Sequence, residues 1–178
     1  MKTWIRWIDR VSGWSAALCG FILCFSLALI LTEIVLRSAF SKTLFITDEY
    51  SGYLMSALTF MGLSYTMREK GHIRVTLLQN VLSNTGRLYL DLVCCLVGFL
   101  TFAFISWHCA LFFWDSVITQ SRSMQISETY LAVPQCFMPL GSVLLAAQLL
   151  SEGLKCIIVL REGQGAVTLR QEAKDLGR

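Results

Sequence analysis

Hydrophobic positions in this chain fall into four long runs separated by short polar links, at roughly 13–36, 51–67, 88–118 and 131–160. A hydrocarbon core of about 30 Å takes about 17–25 helical residues, so each run is long enough to cross it. The runs are near-continuous and lack the period-2 alternation of a membrane barrel strand, and lipid offers no partner for an unpaired backbone group, so each predicts a helix. The expected fold is an all-α membrane protein with four transmembrane helices and additional interfacial amphipathic helices. The four helices make up residues 1–160, and 161–178 forms a polar tail with Gly163-Gln164-Gly165 at its start.

The polar links have patterns of their own. Ile73, Leu77, Leu78, Val81 and Leu82 recur with helical spacing, while Arg74, Thr76, Gln79, Asn80 and Ser83 occupy the rest of the circumference. That predicts an amphipathic helix over about 72–83 lying flat at the membrane surface, ended by Asn84-Thr85-Gly86. Gly71 allows the chain to turn from spanning to lying flat, Arg68, Lys70 and Arg74 suit anionic head groups, and His72 sits at the bend. A structural role for His72 at this corner is favoured over proton transfer, because the carboxylate nearest to it in sequence is Glu69. Before the second run, Thr47-Asp48-Glu49 reads as a helix start with acids at the positive end of the dipole. It is either a plain capped start or an acidic face that meets a partner.

Charge then orients the spans. Of the 15 lysines and arginines, 12 lie in the amino-terminal flank, the 68–87 link or the carboxy-terminal segment from Lys155. The other links hold Arg37, Lys42 and Arg122. The positive-inside rule therefore predicts cytoplasmic amino and carboxy termini. The first apolar run is about twice as long as a signal-peptide core and is not followed by a small-x-small cleavage site before Arg37, so it reads as a retained anchor. Trp4, Trp7 and Trp14 at one end, and Trp107, Phe112, Phe113 and Trp114 toward the other, fit interfacial belts.

With 55% hydrophobic and 15% charged residues, the composition excludes an ordinary soluble domain. The candidate chemistry is sparse. The seven cysteines have no C-x-x-C spacing and lie in or beside the spans as packing residues. Of the two histidines only His108 lies within a span, which leaves a bis-histidine haem site incomplete. Phosphate-binding glycine loops, H-E-x-x-H and nucleophile elbows are missing, so neither an enzyme nor a cofactor or metal site is expected. Glu33, Asp91, Asp115 and Glu152 lie near span ends and leave the span centres uncharged, which argues against a solute pathway through this chain alone. Ala16/Gly20, Gly52/Ser56 and Ser142/Ala146 provide the small-x-x-x-small spacing at which membrane helices approach closely. A subunit of a larger membrane complex fits these features; an anchor subunit of a respiratory haem or quinone complex, or a stand-alone membrane protein, are the alternatives.

Asp48, Glu49 and Tyr53, then Phe60-x-Gly62, then Arg68, His72, Ile73 and Val75, together with the late Met138-Pro139-Leu140-Gly141, resemble the small membrane subunit of tripartite ATP-independent periplasmic (TRAP) transporters, the DctQ-like family. The resemblance covers roughly residues 5–160. It departs from the family pattern at Ile46 and Thr47, where a tryptophan is expected beside the acidic pair. The resemblance implies a bacterial inner-membrane complex in which a periplasmic binding protein delivers an organic acid to a large multi-span subunit driven by a sodium gradient. The small subunit would pack on the static scaffold of the large one, without cofactor or nucleic acid. Asp48, Glu49, Tyr53, Gly62, Arg68, His72 and Arg74 are the expected partner or lipid contacts.

Overall fold

The computed structural model describes residues 2–69 and 84–162. The expected surface helix at 72–83, with His72 and Arg74, and the chain beyond Glu162 lie outside the described residues. The described chain is helical: α1 (Lys2–Phe40), α2 (Thr47–Arg68), α3 (Asn84–Ile118), the short α4 (Ala132–Gln135) and α5 (Phe137–Glu162). Pro134 and Pro139 sit within the first turns of α4 and α5, where an amide without a hydrogen costs nothing because no intrahelical acceptor lies behind it. The two helices are separated only at Cys136, whose amide still donates to the Ala132 carbonyl at 3.1 Å.

Three stretches are long and apolar enough to cross a membrane: Trp7–Phe40, Leu88–Ile118 and Ala132–Ile158. The sequence pattern predicted four. The difference is α2, which has spanning length but carries Asp48, Glu49 and Arg68 at its ends and a regular supply of hydroxyls between them. Its position explains the composition. α2 is flanked by α1 and α5, and α3 packs on the far side of α5, so the helices form a row in the order α1, α2, α5, α3. The two inner helices are covered on both sides, whereas α1 and α3 each present a broad apolar surface outward, exemplified by Phe21 and Leu31 on one and Leu100 and Phe104 on the other.

Each end helix meets the row along a seam of 3.5-residue period, the spacing of knobs-into-holes packing. On α1 the covered positions run Ser12, Ser15, Cys19, Ile22, Ser26, Leu29 and Glu33. On α3 they run Leu88, Leu92, Cys95, Phe99, Phe102, Ser106, Cys109 and Phe113. The α1 seam reverses the usual pattern of a water-soluble helix: its inner side is rich in hydroxyls and its outer side in Phe, Leu and Ile. Lipid tails are as apolar as leucine, so burying leucine between helices gains little, while small polar side chains permit close approach and interhelical hydrogen bonds. α2 and α5 approach closely where a Cβ on Gly141 would stand 2.4 Å from the Phe60 carbonyl carbon and oxygen. Only glycine fits there. Of the small residues at close-packing spacing, Ser142 and Ala146 are buried, but Gly20 and Gly52 face open space.

Candidate functional site

Two polar clusters tie the row together at its opposite ends. The first lies where α1 begins, α2 ends and α5 approaches its last turns. Gln148 of α5 is fully buried, and its amide oxygen accepts from the Ser12 hydroxyl at 3.1 Å. Its Nε2 donates to Asp9 Oδ1 at 3.0 Å and to Glu152 Oε1 at 3.4 Å. Lys155 completes the cluster, with Nζ 2.7 Å from Glu152 Oε1 and 3.4 Å from each Asp9 oxygen. Two carboxylates share one ammonium, with the amide between them. On the α2 side, Ser15 donates to the Ser12 carbonyl at 2.7 Å and stands 3.3 Å from the Ser64 hydroxyl. Arg68 Nη1 donates to the Asp9 carbonyl at 2.9 Å. Gly13 makes that reach possible, since a Cβ there would lie 3.1 Å from the same nitrogen.

The second cluster, at the other end, organises loops. Glu33 is buried near the end of the α1 seam. One oxygen accepts from Arg37 at 3.0 Å; the other accepts from the Leu44 amide at 2.7 Å and the Thr47 hydroxyl at 3.3 Å. An acidic side chain from α1 thus satisfies the entry of α2, whose own preceding residue, Ile46, has no capping side chain. Two residues beyond Thr47, Glu49 accepts from Tyr53 at 2.6 Å and from Ser127 in the link between α3 and α4. That link is a narrow hairpin. Ser123 donates its amide to the Thr129 carbonyl at 2.9 Å, and Leu131 donates to the Ser121 carbonyl at 3.0 Å. Gln120 and Glu128 take left-handed backbone angles at its corners, with φ of 52° and 44°. Hydroxyls of Ser123, Ser127 and Tyr53 stabilise the charged form of Glu49 and hold its carboxyl below the ordinary carboxylate range.

The residues expected to mark a partner surface therefore separate into two groups. Glu49 and Tyr53 are engaged with each other and with the hairpin, while Asp48 beside them is exposed. Gly62 and Arg68 belong to the α1–α2 contact at the opposite end, Gly62 with its missing Cβ 3.7 Å from the Cys19 sulfur. Nineteen residues of helix, about 28 Å, lie between Glu49 and Arg68. Asp9, Ser12, Ser15, Ser64, Gln148 and Lys155 form the larger cluster and were not singled out by sequence reasoning. The signal was present as Ser12, Ser15, Cys19 and Ile22, small or apolar residues three and four apart along an apolar helix, the spacing of a packed membrane seam. Among the described residues, no group of three His, Cys, Asp or Glu side chains converges as a metal ion requires. What these contacts do is tie the helices to one another at fixed heights.

Comparison with known proteins agrees with this reading. No solved structure matches the chain. A protein of Haemophilus influenzae named "Putative TRAP transporter small permease protein" is 35% identical over 85 residues, 44% of this chain. The chain spans about half the length of that curated relative, 53% of it. The family model for tripartite ATP-independent periplasmic transporters, DctQ component, matches residues 26–157, from the middle of α1 almost to the end of α5. That match takes in α2, α3 and α4, the later part of α1 and most of α5, and the chain belongs to the DctQ family of TRAP transporter components.

Proposed function

We propose that this chain is the small permease subunit of a TRAP transporter, a multi-pass protein of the bacterial inner membrane with four spans and cytoplasmic termini. It packs on a large multi-span subunit that performs sodium-driven uptake of an organic acid delivered by a periplasmic binding protein, and it does no chemistry of its own. Membership of a transporter component family carries the reading. α2 counts as the fourth span because it is tied to α1 at both ends, Thr47 to Glu33 and Arg68 to Asp9. The stretch 51–67 between those ties is free of charged residues and reaches the length of about 17 helical residues that a crossing needs. The hairpin then lies on the periplasmic side, with Met124 and Ile126 exposed at its tip and Asp48 nearby, where a binding protein docks.

A supporting role agrees with the placement of charge. Asp9, Arg68, Glu152 and Lys155 sit at one end and Glu33, Arg37 and Glu49 at the other, with each group committed to contacts inside the chain. The test is to purify the tagged chain from its native membrane in mild detergent and identify by mass spectrometry what accompanies it. A many-span permease in near-equal amount, whose sodium-driven uptake in vesicles is lost without this chain, is the expected outcome. Recovery alone or with respiratory subunits overturns the proposal, as does solute uptake by the chain unaided.

A further inference from the structure

Threonines exposed within the helices of this chain satisfy their own hydroxyls. Thr32, Thr59 and Thr101 are exposed within the helices, and each hydroxyl donates to a carbonyl one turn back, Ala28, Met55 and Val97, at 2.8–2.9 Å. None requires anything from its surroundings. The Gln148 amide, which cannot satisfy itself in this way, is buried in a helix contact. His108, like the neighbouring exposed Trp107, has no such arrangement. It lies on the exposed side of α3, seven residues and about 10 Å below Asp115 along the helix, and seventeen residues above Asp91. The Phe104 ring meets it edge to face at 4.4 Å, and among the described residues it has no hydrogen-bond partner.

An imidazole cannot reach the carbonyl of its own preceding turn as a threonine hydroxyl does. Hydrocarbon tails offer it nothing, and a polar group left unpaired at that depth costs several kcal/mol by order of magnitude. Its neighbours on that side of α3 are Val97, Thr101, Phe104, Leu111 and Asp115, spaced by three and four residues as on the covered seam of the same helix. The exposed side of α1 has no equivalent. There the outward positions between 17 and 35 are apolar apart from Cys24 and the self-satisfied Thr32.

We propose that the His108 side of α3, rather than the outer side of α1, is the surface on which the large membrane subunit packs. A spanning helix of that subunit presents a hydrogen-bond acceptor to the imidazole N–H at its depth. The inference rests on the small-permease reading and goes beyond it by naming the edge of the row and the residue that specify the contact.

The test uses the full chain co-expressed with its large subunit. A photoreactive benzoylphenylalanine replaces Phe104 or Leu111 on α3, and Phe25 or Leu31 on α1 as control. Irradiation in the membrane is expected to give adducts to the large subunit from both α3 positions and adducts to lipid alone from α1. His108→Leu should lower retention of the large subunit in detergent roughly five-fold, the factor given by one intramembrane hydrogen bond of about 1 kcal/mol, with His108→Asn keeping most of it. If the wild-type complex forms but α3 yields only lipid or self adducts and His108→Leu retains its partner fully, the proposed surface is wrong and the small-permease reading stands. If the wild-type chain retains no large subunit, both fall.

Discussion

The two ends of this molecule use carboxylates for different purposes. At the amino-terminal end, Asp9 and Glu152 converge on Lys155 and Gln148, so that side chains from α1 and α5 bind one another directly, and Arg68 brings in α2 through a backbone carbonyl. At the hairpin end, Glu33 and Glu49 accept from an amide and from hydroxyls of the links, so helices are joined through the loops between them. Charge placed against helix flanks sets which helices are neighbours; charge placed against loop donors sets how the chain turns between them.

This contrast can be tested by changes of graded severity. The largest effect is expected at the position where neither end has any influence. Gly141→Leu forces a side chain into the Phe60 backbone, and overpacking of this kind costs about 1–3 kcal/mol or more, so α2 and α5 should separate and folded protein recovered by size-exclusion chromatography should fall sharply. Next, Gln148→Leu conserves bulk but strips partners from Ser12, Asp9 and Glu152 at once. A loss of about 1–3 kcal/mol is expected for buried polar groups left unsatisfied, measured as a lower midpoint in detergent thermal unfolding. An unchanged midpoint would mean that the amino-terminal cluster does not hold the helices together.

Glu33→Ala should be milder, about 0.5–2 kcal/mol as for loss of a helix cap, and its signature should be local: faster amide exchange at Leu44 and the first turn of α2 with the other helices unaffected. Glu49→Gln should be the smallest in stability and visible only in the hairpin. Because the folded state lowers the Glu49 pKa, its contribution is fully present above the ordinary carboxylate range and is lost as the pH falls through the lower, folded value. Protease accessibility of residues 121–131 should therefore stay constant from neutral pH into the ordinary carboxylate range and rise only below it, while Glu49→Gln should show the raised accessibility at neutral pH. Exposure of the hairpin already at neutral pH in the unaltered chain would show that Glu49 does not hold it.

Much of the architecture was legible in the sequence. The apolar runs locate α1, α3 and the α4–α5 segment because twenty or so consecutive apolar residues have few alternatives to a helix. α2 was legible as a helix, but its hydroxyls make it more polar than its neighbours, for the reason that it is the strip both flanking helices touch. The seam was harder to read. Ser12, Ser15, Ser64 and Gln148 carry no functional motif of their own and acquire meaning only once the facing helix is known. Glu33 could be placed near a span end, but its partners Leu44 and Thr47 depend on how a six-residue link folds back. The hairpin was least legible of all. Its left-handed corners fall at Gln120 and Glu128, with no glycine or asparagine to announce them.

The ties at both ends of α2 have a further, mechanical consequence. For α2 to slide along α1 by one turn, about 5.4 Å, it would have to give up Glu33's hold on Leu44 and Thr47 and Arg68's hold on the Asp9 carbonyl in the same movement. The pair behaves as a plank nailed at two points, which resists shear far more than a plank nailed at one. A neighbour that shifts within the bilayer would meet a fixed reference height along the whole edge of the row.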